Sequence, residues 1–289
     1  MSRGSSSGRT VERVLGSIPP TGILLASIVS VQLGATIAKQ LFPALGPGGA
    51  VSLRIVLGAI MVLGLERPRV AGHHRPDFLA AIIFGLTIAG MNTAFYFSLA
   101  RLPLGAAVTL EFVGPLSVAI FGSRRRLDLV WALFAAAGVI LLAPIGVGAL
   151  DPIGVGLALL AGAGWASYIL INVPVGRAFP AGSGLALAMG VAALVVLPFG
   201  VGSSAKLIAQ PDLLAAGLVL ALLSSAIPFS LEHAALKRLS RRAFGAMMSL
   251  EPGVAALLGF LVLGEGLGTR GLAALACVTA ATIGSSLRG

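Results

Sequence analysis

Along the chain, long apolar runs alternate with short polar joints. The runs lie at about 20–42, 48–65, 77–99, 104–122, 128–147, 152–172, 182–201, 212–235, 244–264 and 269–287. Each is about 18 to 25 residues long, and at about 1.5 Å per residue a helix of that length crosses a hydrocarbon core about 30 Å thick. The pattern predicts an all-α polytopic membrane protein of ten transmembrane helices, with the lipid bilayer as its first partner. The joints leave no room for a soluble catalytic or nucleotide-binding domain. Only the opening MSRGSSSGRTVERVLGS, residues 1–17, stands apart, and its polar composition predicts a disordered cytoplasmic tail. The apolar run after it is longer than a signal-peptide core and further spans follow, so the first span is expected to be retained.

Composition agrees with the pattern: 57% of residues are apolar and 10% charged, and the mean hydropathy is +1.01. No water-soluble domain has this balance. The net charge of +10 raises the question of a polyanionic partner, and the placement of the charges answers it. With the N-terminus inside, fifteen basic residues fall in cytoplasmic segments: Arg3, Arg9, Arg13, Arg67, Arg69, Arg75, Arg124, Arg125, Arg126, Arg177, Lys237, Arg238, Arg241, Arg242 and Arg288. Three, Arg101, Lys206 and Arg270, fall in outer loops. This positive-inside asymmetry accounts for the charge without nucleic acid and predicts both termini in the cytoplasm.

The chain repeats itself. SLARLPLGAAVTLEFVGP in the first half corresponds to ALKRLSRRAFGAMMSLEPG in the second, with three extra residues in the linker, and both contain G-A-x-x-[TS]-L-E. Five spans precede the midpoint and five follow it, which predicts a first repeat over 18–147 and a second over 148–289. Because five is odd, the repeats enter the membrane from opposite sides. Inverted repeats of this kind place a binding site near the midplane, between the halves.

The motif glutamates, Glu111 and Glu251, each lie about 10 Å into the membrane, from opposite faces. An ionised acid at a helix centre costs roughly 2.5 to 3.5 kcal/mol, so each is expected to face a cavity, find a partner or stay protonated. Prolines point the same way. Pro115 lacks the N–H that would bond the Glu111 carbonyl, Pro252 directly follows Glu251, and Pro228 frees the Ser224 carbonyl one turn before Glu232. Helix interruptions are expected at all three places, and freed carbonyls at membrane depth are tolerated where they line a wet cavity.

Other polar residues in the spans have two readings each. Arg54 either holds a substrate carboxylate or serves the structure by pairing with an acid or snorkelling. Asn92, Tyr96, Trp165, Ser167 and Tyr168 either line a pathway or pack between helices. Glu232 either joins the pathway or pairs with the basic loop after span eight, and Lys39 is expected to snorkel to the outer face. Cys277 is the one cysteine and excludes an intramolecular disulfide. No P-loop, H-E-x-x-H motif or Cys/His cluster occurs, and no Ser-His-Asp arrangement can be argued. No catalytic residue, cofactor or metal is therefore expected.

Taken together, the duplicated fives and SLEHAALKRLSRRAFGAMMSLEPGVAALLGFLVLGEGL at 230–267 resemble the EamA group of the drug/metabolite transporter superfamily. GMNTAFY at 90–96, LPLGAAVTLEFVGPLSVAIF at 102–121, SRR at 123–125 and GAGWASYIL at 162–170 resemble its threonine and homoserine exporter branch. The repeats diverge at one point: LGE at 263–265 closes span nine where span four ends in FGSRRR, so any role of Glu265 is not shared by the first half. The resemblance implies export of small neutral amino acids across a bacterial inner membrane by exchange for protons, and a homodimer is compatible with it. A zwitterion needs an acceptor for its ammonium group and a donor for its carboxylate. Glu111 or Glu251 is expected to supply the first or to carry the proton, and Arg54 or a broken-helix N-terminus the second. Two other readings stay open at this point: export of another metabolite or drug, and a membrane-embedded lipid enzyme or sensor.

Overall fold

The computed structural model describes residues 18–66, 68, 72–121, 127–141, 150–179, 182–236, 238, 239, 244 and 247–288. The expected tail, 1–17, lies outside them, as do Arg67, Arg69, Arg124, Arg125, Arg126, Lys237, Arg241 and Arg242. The described elements are helices: α1 Pro20–Glu66, α2 Arg75–Leu99, α3 Leu104–Glu111, α4 Val113–Phe121, α5 Leu127–Leu141, α6 Pro152–Ala178, α7 Ser183–Val201, α8 Ser204–Ala209, α9 Pro211–Ala221, α10 Ile227–Leu236, α11 Glu251–Leu263 and α12 Gly268–Arg288. Each expected apolar run contains helix. Among the described residues, the helices within Pro20–Gly64, Arg75–Leu99, Pro152–Ala178 and Ser183–Val201 are long and apolar enough to cross a membrane, and four shorter apolar helices accompany them. The chain is an all-helical, polytopic membrane protein.

Local sequence explains where the helices bend. α1 is two arms meeting at Gly46, whose φ of 67° and ψ of 167° belong to a backbone region that glycine enters without steric cost. Pro47 then starts the second arm, since its missing N–H is no loss at the first helical position. The expected interruptions appear, with adjusted positions. α3 stops at Glu111 and α4 restarts at Val113, while α11 begins at Glu251 with Pro252 in its first turn. Before Pro228 the backbone widens into a π segment, Leu222–Ala226, between α9 and α10. A π turn re-routes carbonyls that the proline leaves without a donor, and such turns recur at functional sites.

Large apolar side chains such as Ile60, Leu160, Leu194 and Phe260 point outward and are more than half exposed. On a membrane protein this is the lipid-facing surface, because lipid tails satisfy apolar groups as well as a core does. Inside, helices approach through small residues. α2 packs on α6 and α7, α1 on α7, α9 and α10, α3 on α11, and α5 on α12. One close approach joins α4 to α6: a methyl group at Gly114 would overlap the Gly162 carbonyl, and one at Gly162 would stand 2.7 Å from the Glu111 carbonyl. That carbonyl is the one Pro115 leaves without a helical donor.

Candidate functional site

A cavity of about 310 Å³ opens where the two arms of α1 meet α2, α3, α6, the π segment, α10 and the start of α11. The apolar runs bring to it the residues whose polarity was out of place in sequence: Arg54, Asn92, Tyr96, Glu111, Glu232 and Glu251. Trp165, Tyr168 and Pro228 complete the expected set. Pro115 and Pro252 stay outside the wall and act through the backbone breaks beside it. Ser167 is a correction: it is exposed, and its hydroxyl donates to the Ala163 carbonyl at 2.9 Å. Trp165 and Tyr168, three apart, share one face of α6, and the helical period turns Ser167 to another.

Two polar groups organise the wall. In the first, the Arg54 Nη1 donates to the Asn92 Oδ1 at 2.8 Å, and the Asn92 Nδ2 donates to the Ile88 carbonyl at 2.8 Å. Tyr96, one turn further along the same face of α2, places its ring 5.6 Å from the Arg54 guanidinium carbon. Arg54 forms no ion pair, since no carboxylate stands within 4.0 Å of it among the described residues. Its buried Nε has no hydrogen-bond partner among the described residues.

In the second group, the Gln32 Nε2 donates to the Glu251 Oε1 at 3.1 Å across the two halves of the chain. The Gln32 Oε1 and the Glu251 Oε2 are buried without hydrogen-bond partners among the described residues. Glu232 accepts a hydrogen bond from Ser27 at 2.9 Å, while Lys237, Arg241 and Arg242 of the loop expected to pair with it lie outside the described residues. The aromatic wall is packed against neighbouring rings: Trp165 meets Phe112 edge to face at 5.3 Å, and Tyr168 lies tilted 4.9 Å from Phe84. A small pocket with apolar walls and a few convergent polar groups is what a small-molecule site requires.

Sequence reasoning missed Gln32, Ser27 and the pair Ser224 and Ser225 of the π segment, which also line or support the cavity. The signal for Gln32 was present: an amide inside the run SVQLGATIAK needs a partner as a carboxylate does. Lys39 is a second correction. Its ammonium reaches the joint between α2 and α3 as a partnered charge, pairing with Glu265 and donating to the Leu102 carbonyl, rather than as the lone snorkelling cation expected.

The sequence profile of the EamA-like transporter family matches residues 152–287. The chain is 41% identical over 270 residues to the threonine/homoserine exporter RhtA of Escherichia coli strain K12, covering 93% of this chain and 91% of that protein. It is 40% identical over the same extent to the threonine/homoserine exporter RhtA of Salmonella typhimurium strain LT2. A solved crystal structure superposes with a TM-score of 0.58 at 20% identity, over 92% of this chain and 94% of that one, a likeness of fold alone. Relatives this similar are transporters, not enzymes, which sets aside the lipid-enzyme reading. The chain belongs to the EamA-like transporter family.

Proposed function

We propose that this protein exports small neutral amino acids such as threonine and homoserine across a bacterial inner membrane in exchange for protons. The observation that carries the reading is the set of unpartnered polar atoms around one cavity: the Arg54 Nε on one side, and the Gln32 Oε1 and Glu251 Oε2 on the other. A buried polar atom without a partner is costly, so these positions suit a ligand that brings its own charges. A zwitterion complements the set. Its carboxylate takes the Arg54 guanidinium, which Asn92 and Tyr96 hold in place, and its ammonium takes Glu251 and Gln32. Glu111, with no ion-pair partner among the described residues, carries the exchanged proton, and Glu232 hands protons to or from the side of the termini.

The same reading includes the architecture of ten spans as two inverted repeats, 18–147 and 148–289, with both termini in the cytoplasm. Packing supports it. Span three meets six and seven, and their counterparts, span eight with one and two, also meet. Span four touches six through Gly114 and Gly162, and span nine touches one through Glu251 and Gln32. The pairs two with seven, four with nine and five with ten map onto themselves. A pseudo-two-fold axis relating two five-helix units produces this pattern.

Counterflow of labelled threonine into proteoliposomes loaded with unlabelled threonine or homoserine tests the substrate. Uptake that an excess of either competes away is the expected result. Uptake blocked equally by unrelated cations or sugars would overturn the amino-acid reading. An imposed pH gradient that fails to drive net efflux would overturn proton exchange alone.

A further inference from the structure

One charged cluster lies away from the cavity and has no part in the substrate reading. Lys39, one turn beyond the cavity-lining Ala35 on the first arm of α1, pairs with Glu265, which follows the end of α11. The Lys39 ammonium also donates to the Leu102 carbonyl, and the backbone N–H of Leu104 donates to the Glu265 Oε2 at 2.7 Å. Thus a cation from α1 and an anion from beyond α11 both hold the joint between α2 and α3. The pair is largely withdrawn from solvent, with side chains 18% and 19% exposed. Ala38, Leu99, Leu102 and Leu104 are buried in the same apolar cluster as Tyr96 of the cavity wall. At the opposite end of the bundle, the side to which the reading above assigns the termini, Arg238 donates to the carbonyl of Ile18, the first described residue.

The geometry points to a latch: Lys39 and Glu265 clamp the α2–α3 joint and close the cavity on the membrane face opposite the termini. Opening that face for release means moving the N-terminus of α3 away from α11. Such a movement breaks the Glu265 contact to the Leu104 N–H and the Lys39 contact to the Leu102 carbonyl together, so the pair sets the population of the state open on that side. Glu265 has this role although the matching end of span four, FGSRRR, has no carboxylate. Lys39 and Glu265 act as positioning residues for the cycle and touch no substrate.

The test is accessibility and needs no substrate, so it fails separately from the amino-acid reading. In the full-length chain with Cys277→Ser, an Ala35→Cys substitution places a reporter thiol in the cavity. A membrane-impermeant maleimide is applied from each side of oriented vesicles. Lys39→Met and Glu265→Gln are each expected to raise labelling from the side opposite the termini by about tenfold and to lower it from the side of the termini. Lys39→Arg, which keeps the charge and the donors, labels as the parent does. Labelling that rises equally from both sides marks a loosened fold and overturns the latch. So does labelling unchanged in both neutral variants, or raised as much by Lys39→Arg. Glu265→Gln retains an acceptor for Leu104, so it answers the question if Lys39→Met does not assemble.

Discussion

The two copies of the glutamate motif end in different surroundings. Glu111 is the last residue of α3, where Pro115 leaves its carbonyl without a helical donor and Gly162 of α6 closes on that carbonyl. Its side chain faces the cavity with no ion pair within 4.0 Å among the described residues. Glu251 is instead the first residue of α11, and the amide of Gln32 reaches it from the other half of the chain. Residue types and spacing are shared, yet one carboxylate closes a helix and the other opens one. The motif brings both acids to the cavity, and the neighbour supplied by the opposite half decides how each is held.

The sharpest way to break this comparison is to neutralise each acid in turn. Glu251→Gln is expected to lower labelled-threonine counterflow by at least about 30-fold, as removing one partner of a buried charge contact does. Glu111→Gln should retain counterflow, which needs no net proton movement, and lose efflux driven by a pH gradient. If the two variants behave alike in both assays, the difference in surroundings has no bearing on transport.

Much of the comparison could be read from the chain. Glu111, Glu251 and Arg54 stand out because an ionisable group inside an apolar run needs a reason, and Pro115 and Pro252 mark the backbone breaks because a missing N–H acts locally. The partners were harder to read. Gln32 meets Glu251 from 219 residues away, and that pairing depends on how spans one and nine pack. Lys39 was expected to snorkel because its depth was legible, whereas the carboxylate of Glu265 arrives from beyond span nine. The shift of the interruption before Pro228 into a π segment likewise depends on neighbours, since Ser30 of α1 donates to the Leu223 carbonyl at 2.8 Å.

The next two effects sharpen the comparison from the side of the neighbours. Gly162→Ala pushes a methyl against the Glu111 carbonyl, where backbone cannot give way as a flexible side chain would. It is expected to destabilise the protein by about 1 to 3 kcal/mol, seen as a lower melting temperature in detergent. A variant that melts with the parent would show that the first break is not clamped by α6. Gln32→Leu removes the amide that reaches the second break. Its expected effect is about a tenfold weaker apparent affinity in counterflow, the size of one hydrogen bond to a charged group, with pH-driven coupling kept. Loss of coupling instead would move the proton role to Glu251.

The smallest effect lies where the two halves are tied outside the membrane. Asp151 caps α6, accepting from the Ile153 and Gly154 backbone N–H groups at 2.8 and 3.4 Å, and it receives the Arg101 Nη1 at 2.7 Å from the joint after α2. The Arg101 hydrogen bond, helped by those backbone donors, holds the Asp151 carboxyl below the usual carboxylate range. A carboxyl whose folded pKa is depressed contributes stability above its unfolded value, about 3.9, and loses that contribution as pH falls through the lower folded value. The pair is exposed, so its contribution is small. Asp151→Asn, which keeps an oxygen for the cap, should leave counterflow at neutral pH unchanged and lower the melting temperature only slightly. The difference from the parent should shrink as the pH falls below the unfolded value of about 3.9 and vanish once it passes below the lower folded value. A difference as large as that of Gly162→Ala, or one that persists in acid, would show that the halves are held at this joint rather than through the packed breaks around the cavity.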